Sequence, residues 1–547
     1  MSEESRTSSG LNAADYLRAH AQSQPNTPAL IMADKRGDFS QLTFGELDKL
    51  ANRYARGLSE RGLRPGDRCL FLMRPDLTFY AVWFSLMRLG AVPVVLDPGM
   101  GVRALLQCIA RAQARALFGI APVHVIRLLQ PGPFRSCELL ITKGRRWFWG
   151  GLTLEQCCSD DDAPFDGGRF DPDAEAAIPF TSGSTGPAKG VRWTQGMFDT
   201  QIREIAAMFD LKPGMTTVEC FGSFAIHDIC IGMTTVIPRM NLAKPASAKP
   251  EDILHAIRTH SPQVSLGSPI IWENLTRHCL QAGQTVEGVE TVMTLGAPIS
   301  MDLQERFRAV FGAGCAFHTP YGATECLPVA SIGSPEVLGE TLTASDQGAG
   351  ICVGRPIAAA DVQILRITDA TVSQWSEDDV LGVGEIGEVC VRGPMASPLY
   401  IDNPDATARA KIPVKDGTFF HRMGDLGYVD DRGRLWFCGR KSHRLQTAAG
   451  MLPAVPLEGI FNRYPGVRRT AVVGLGASGA ETPTLIVEPL PGVHLTADDH
   501  PQILALADGT RWAGRIQTVL THRGFPVDPR HNSKIRRGQL KTWAQSR

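Results

Sequence analysis

Ile178-Pro179-Phe180-Thr181-Ser182-Gly183-Ser184-Thr185-Gly186-Pro187-Ala188-Lys189-Gly190 runs from an apolar strand end straight into hydroxyls, glycines and a lysine. Glycines let successive backbone N–H groups converge on an anion, the hydroxyls add donors, and Lys189 carries a charge on a long stem, so the loop fits a polyphosphate. A flexible Gly/Ser linker would need neither the strand nor the lysine. A Walker A loop is excluded, because Gly-Lys followed by Ser or Thr never occurs in the chain. Upstream, Thr43 and Glu46 form a T-x-x-E capping box, and Leu47, Leu50, Ala51, Tyr54 and Leu58 follow at helical spacing. The runs Arg68 to Met73, Leu77 to Leu89 and Ala91 to Leu96 then read as strand, helix and strand. This alternation, with no internal repeat, predicts an α/β fold on parallel sheets.

Past residue 380 the strand-like runs Glu388 to Arg392 and Arg434 to Cys438, separated by glycine-rich turns, predict a β-rich subdomain. The polar stretch Lys441-Ser442-His443-Arg444 follows, and the remainder is long enough for a small α+β domain. The expected division is therefore 1–440 and 441–547. Gly474-Leu475-Gly476-Ala477-Ser478-Gly479 spells GxGxxG, yet Pro483 and the strand-like Leu485-Ile486-Val487 leave no room for a crossover helix, so it reads as a turn between strands. No GxSxG elbow and no HExxH are present, which argues against a serine hydrolase or a zincin.

A chain of 547 residues is too long for one core and for a lone binding module. Its 56 basic residues balance 56 acidic ones, which gives no pull toward nucleic acid. With 43% hydrophobic and 20% charged residues it is not a disordered chain. The 13 cysteines are odd in number, scattered and free of CxxC pairs, as expected of reduced thiols in a cytoplasmic protein. Met1 to Asn12 lacks an apolar h-region, and the most apolar stretch, Leu77 to Leu96, is interrupted by Arg88, Gly90 and Pro93, so no transmembrane segment is expected. Arg145-Arg146-Trp147-Phe148-Trp149 joins cations to aromatics, which suits a peripheral bilayer contact, a partner surface or a partly buried loop.

The glycine-rich loop resembles the phosphate-binding signature of the adenylate-forming superfamily, which includes acyl-CoA synthetases, firefly luciferase and peptide-synthetase adenylation domains. Tyr321-Gly322-Ala323-Thr324-Glu325 is similar to its Y-G-x-T-E. Gly387-Glu388 through Gly393, with Tyr400 and Pro404, is similar to its G-E…G…Y…P stretch. Gly424-Asp425-Leu426-Gly427 before Gly439-Arg440 resembles its ribose motif, and Asn532-Ser533-Lys534-Ile535 resembles the segment carrying its catalytic lysine. The resemblance implies a large N-terminal adenylation domain of several subdomains, a hinge near Ser442 and a mobile C-terminal domain, with ATP and Mg²⁺ as cofactors. It further implies that Thr181, Ser182, Gly183, Ser184, Thr185, Gly186 and Lys189 bind phosphates. Gly296, Ala297 and Pro298 would line the adenine, and Tyr321, in the segment with Gly322, Ala323 and Thr324, would stack on it. Asp425, with Arg440 beside it, would accept the ribose hydroxyls. Glu325 would ligate Mg²⁺ with Thr185 nearby, and Lys534 would reach the α-phosphate when the C-terminal domain closes.

Many acyl-CoA synthetases follow the ribose arginine with a hinge Asp or Lys and an I-K pair before a glycine. Here Ser442 holds the hinge, Gln446 holds the lysine position and Gly450 arrives one residue late, which puts thioester formation in doubt. Val191 to Thr194, Tyr321 to Pro328, Gly439 to His443 and Arg530 to Ile535 resemble most the β-lactone synthetases of bacterial long-chain olefin biosynthesis. Those enzymes adenylate a 2-alkyl-3-hydroxy fatty acid and let its own 3-hydroxyl expel AMP, and the resemblance implies work beside neighbouring pathway enzymes. By the same resemblance His227, in Phe224-Ala225-Ile226-His227-Asp228, lines the acyl pocket, where it orients the acid, accepts the hydroxyl proton or is a structural histidine. The competing expectation is a long-chain fatty-acyl-CoA or acyl-AMP ligase.

Overall fold

Thr43 caps the helix Phe44–Glu60 as the spacing predicts: its hydroxyl accepts from the Glu46 N–H, and the Glu46 carboxylate accepts from the Thr43 N–H. Leu47, Ala51, Tyr54 and Leu58 form the buried stripe of that helix. A Cβ at Gly57 would stand 2.1 Å from the Cys157 carbonyl oxygen, so only glycine lets the chain near Cys157 cross there. The computed structural model describes residues 10–181, 188–295, 299–527 and 535–547. The expected site residues Ser182, Gly183, Ser184, Thr185, Gly186, Gly296, Ala297, Pro298 and Lys534 lie outside them.

Two mainly parallel sheets carry the first half of the chain. In one, Ala316–His318, Thr291–Thr294, Val264–Gly267, Thr216–Glu219, Thr234–Ile237 and Pro28–Ala33 lie parallel, with Phe39–Thr43 antiparallel at the edge. In the other, Glu175–Thr181, Val92–Val95, Arg68–Leu72, Ala116–Ile120, Leu139–Lys143 and Leu152–Thr153 run parallel. Helix Leu77–Leu89 links two of its strands as the β-α-β reading requires. The β-rich subdomain is an antiparallel 8-stranded sheet from Tyr321–Ala323 to Leu435–Arg440, with Gly387–Arg392 and Phe419–Val429 inside it. All 13 cysteines are free thiols.

From Leu445 onward the chain builds its own sheets and its own core around Leu457, Ile460, Phe461 and Leu485. Strands Val467–Leu475 and Thr482–Pro489 pair antiparallel with Leu475 opposite Thr482, so the GxGxxG is a hairpin turn. This region docks on the β-rich subdomain: Trp512 Nε1 donates to the Gly348 carbonyl at 2.7 Å. The polar stretch at 441–444 is anchored at its start, since Lys441 Nζ lies 2.9 Å from the buried Glu388 carboxylate, which also takes Arg422 at 2.6 Å. Losing one member of a buried triad of this kind costs about 3–5 kcal/mol.

Candidate active site

The strands of the β-rich subdomain hold the first cluster. Asp425 on Phe419–Val429 lies opposite Arg440 on Leu435–Arg440 in the strand register. The Arg440 guanidinium is 2.9 Å from Asp425 Oδ1, and the Tyr321 hydroxyl donates to Oδ2 at 2.8 Å. Burial pushes the Asp425 carboxyl up, while the Arg440 charge and the Tyr321 hydrogen bond pull it back. The Asp425 charge in turn holds the Arg440 pKa above its usual value. Gly424, at φ +69°, supplies the left-handed residue just before Asp425. A Cβ on Gly322 would meet the Cys326 carbonyl oxygen at 3.0 Å, so glycine lets the Tyr321–Ala323 hairpin close.

A second cluster lies beside it. The Tyr400 hydroxyl donates to Glu325 Oε1 at 2.9 Å, and Lys189 Nζ stands 4.7 Å from the centre of the Tyr400 ring. The Glu325 charge also raises the Arg440 pKa, which ties the two clusters electrically. Glu325 is fixed through its backbone, where its carbonyl accepts from Ser397 N–H at 2.8 Å. Buried Lys411 approaches from behind, its Nζ 3.0 Å from His421 Nδ1 and its pKa lowered by burial to about 8. Among the described residues no group of three or more His, Cys, Asp or Glu forms a metal cage. A lone, positioned carboxylate such as Glu325 nevertheless fits Mg²⁺, which takes one or two carboxylates and fills its shell with phosphates and water.

His227, on the buried helix Ala225–Ile231, belongs to a third group. Its Nε2 is 3.3 Å from Gln201 Oε1, and Nδ1 is buried without a hydrogen-bond partner among the described residues. Phe198, Phe224 and Trp193 surround the ring at 4.9, 5.4 and 6.3 Å between centroids. Burial lowers its pKa to about 4, which keeps it neutral. If Nε2 carries the proton toward Gln201, Nδ1 is left as an acceptor. Trp193 connects this group to the second cluster, because its Nε1 donates to the Thr324 carbonyl at 2.8 Å. Next to His227, Asp228 and Glu219 share a buried site: desolvation pushes Asp228 to about 8 and Glu219 well above its usual range.

The structure thus brings Tyr321, Asp425 and Arg440 together, and Glu325 with Lys189. Thr181, at the end of strand Glu175–Thr181, pairs antiparallel with Lys189. Val527 forms an antiparallel bridge with Ile535. Gln446 turns to its own domain, with its N–H donating to Glu481 Oε2 at 2.8 Å. Gln201, Trp193, Tyr400 and Lys411 carried no assigned role in the sequence. Tyr400 and Trp193 had a signal there, Tyr400 its place in the G-E…G…Y…P stretch and Trp193 its place in the segment Val191 to Thr194.

The AMP-binding enzyme family model matches residues 17–401. An olefin β-lactone synthetase of Stenotrophomonas maltophilia (strain K279a) is 40% identical over 551 residues, covering 98% of this chain and 98% of that protein. Another, from Xanthomonas campestris pv. campestris, is 40% identical over 560 residues, covering 100% and 99%. Among solved structures, the amide bond synthetase McbA from Marinactinospora thermotolerans superposes with a TM-score of 0.80 at 22% identity, covering 97% and 99% of the two chains.

Proposed function

The chain belongs to the AMP-binding enzyme family, and from its site we propose that it converts a long-chain 2-alkyl-3-hydroxy fatty acid to a β-lactone at the expense of ATP. The observation that carries this reading is its 40% identity, over nearly the whole chain, to proteins named olefin β-lactone synthetases. In the first step a carboxylate oxygen attacks the α-phosphorus and the bond to pyrophosphate breaks. Lys189, with Thr181 to Gly186, holds the phosphates; Asp425 accepts the ribose hydroxyls with Arg440 fixing its carboxylate; Tyr321 faces the base lined by Gly296 to Pro298. Glu325 and Thr185 would hold Mg²⁺, which when bound would offset charge on the leaving group. Lys534 does the same at the α-phosphate, carried by a C-terminal domain of residues 441–547 that moves about Ser442 against residues 1–440.

In the second step the 3-hydroxyl oxygen attacks the acyl carbon, the hydroxyl proton passes to His227 Nδ1, and the carbon–oxygen bond to AMP breaks. The neutral, unpartnered Nδ1 supports that role. An internal nucleophile has a high effective molarity and needs no second substrate, so Gln446 costs nothing where an acyl-CoA synthetase keeps its lysine. No helix among the described residues is long and apolar enough to cross a membrane. The free thiols suit a cytoplasmic enzyme, and the olefin β-lactone reading implies work beside other enzymes of that pathway. Mass spectrometry of products from ATP, Mg²⁺ and a synthetic 2-alkyl-3-hydroxy acid, with and without coenzyme A, tests the reading. The expected product is the β-lactone in both cases; an acyl-CoA contradicts it.

A further inference from the structure

The aromatic run at 145–149 is divided in the structure. Trp149 is buried, its Nε1 donating to Thr142 Oγ1 at 2.9 Å and its ring stacked on His124 with centroids 5.5 Å apart. Trp147 and Phe148 pack against that anchor at 5.5 and 5.8 Å yet remain 56% and 80% exposed. The same anchor joins them to helix Ala121–Leu129, because Arg127 donates to the Trp149 carbonyl at 3.0 Å. That helix leaves Val125, Leu128 and Leu129 exposed. Exposed apolar side chains of the helix and of residues 147–148 thus share the Trp149 anchor, and grouped exposed apolar side chains of this kind mark a contact surface.

Its charge is one-sided. From residue 121 to 150 the chain carries Arg127, Arg135, Lys143, Arg145 and Arg146 against Glu138 alone; Glu138 is paired with Arg115 and Lys143 with Asp76, which leaves the four arginines as the excess. Exposed aromatic and leucine side chains flanked by arginines match the boundary between headgroups and acyl chains. We propose that this surface docks the enzyme on an anionic lipid bilayer, with Trp147, Phe148, Leu128 and Leu129 entering the interface and the arginines meeting lipid phosphates. The choice of a bilayer over a protein face leans on the lipid substrate proposed above, but its test does not.

Co-sedimentation of the full chain is measured with vesicles of phosphatidylcholine alone and of phosphatidylcholine mixed with phosphatidylglycerol. The expected result is binding to the mixed vesicles that weakens with salt and falls by about tenfold or more in Trp147→Ser/Phe148→Ser. Pyrophosphate release from a short, water-dispersed acid should stay unchanged in that variant, which also checks its folding. Wild-type protein that stays with the supernatant of the mixed vesicles overturns the proposal. So does equal binding by the variant, or a concentration-dependent oligomer that the double substitution abolishes, which would make the surface a protein interface.

Discussion

At the proposed nucleotide end Asp425 faces Arg440 and Tyr321, and Glu325 takes Tyr400, so each carboxylate is met by a cation or a hydroxyl. At the proposed acyl end His227 is held neutral, its Nδ1 is unpartnered among the described residues, and Asp228 and Glu219 favour their protonated forms. The contrast fits two tasks. Phosphoryl chemistry needs fixed charges around a polyanion, whereas closing a lactone from a neutral hydroxyl needs a neutral acceptor in a dry pocket. Trp193 spans the two ends by touching both His227 and the Thr324 carbonyl.

Substitutions at each end should separate the half-reactions. Lys534→Ala should slow pyrophosphate release by roughly 10²–10³-fold while ATP binding, followed by calorimetry, persists. Near-normal release would remove Lys534 from the adenylation step. His227→Ala should leave adenylation within a few-fold and slow closure by about 10²-fold, so that acyl-AMP accumulates in a quenched reaction. Because the pKa of His227 is lowered to about 4, the wild-type closure rate should lose nothing to its protonation as pH falls from 8 to 6. A half-loss near the ordinary histidine value of about 6.5 would show that the ring is not desolvated during turnover.

Glu325→Gln should weaken Mg²⁺ dependence by about tenfold, read as a shift in the metal titration of pyrophosphate release, because an amide cannot neutralise the ion. The smallest effect concerns stability. Folded Asp228 keeps its proton to about 8, whereas the unfolded side chain loses it near its ordinary value of 3.8. Its contribution therefore falls as pH rises between those values. Asp228→Asn should raise the melting temperature relative to wild type by roughly 2 °C or more at pH 8, and by less at pH 5. A gain independent of pH would deny the buried charge cost.

The two ends were also unequally legible. Tyr321, Glu325, Asp425 and Arg440 sit in short motifs that resemble the signatures of the adenylate-forming superfamily, and that resemblance grouped them; of the four, only Asp425 and Arg440 also face each other in the register of adjoining strands. The hairpin at 474–479 was legible for a local reason, since the next strand begins before a helix could fit. Gln201 and Trp193 meet His227 only through the packing of helix Gln195–Met208 and its preceding strand against Ala225–Ile231. A glutamine on a helix carries no sign of a distant histidine. Lys411 was hidden likewise, because its burial depends on the pairing of Lys411–Pro413 with Phe419–Val429. Arg145 to Trp149 held two answers at once: Trp149 is core, while Trp147 and Phe148 face water.

The claim that adenylation and closure are separate, and that the substrate's hydroxyl is the second nucleophile, is tested most directly by rapid-quench pyrophosphate release with a matched pair of acids differing only in the 3-hydroxyl. With the hydroxyl, release should continue through many turnovers and yield the lactone. Without it, release should stop after a burst of about one equivalent per enzyme, with acyl-AMP retained in the water-excluding pocket, and added coenzyme A should not restart it. Sustained turnover of the plain acid with coenzyme A to an acyl-CoA would contradict the assignment.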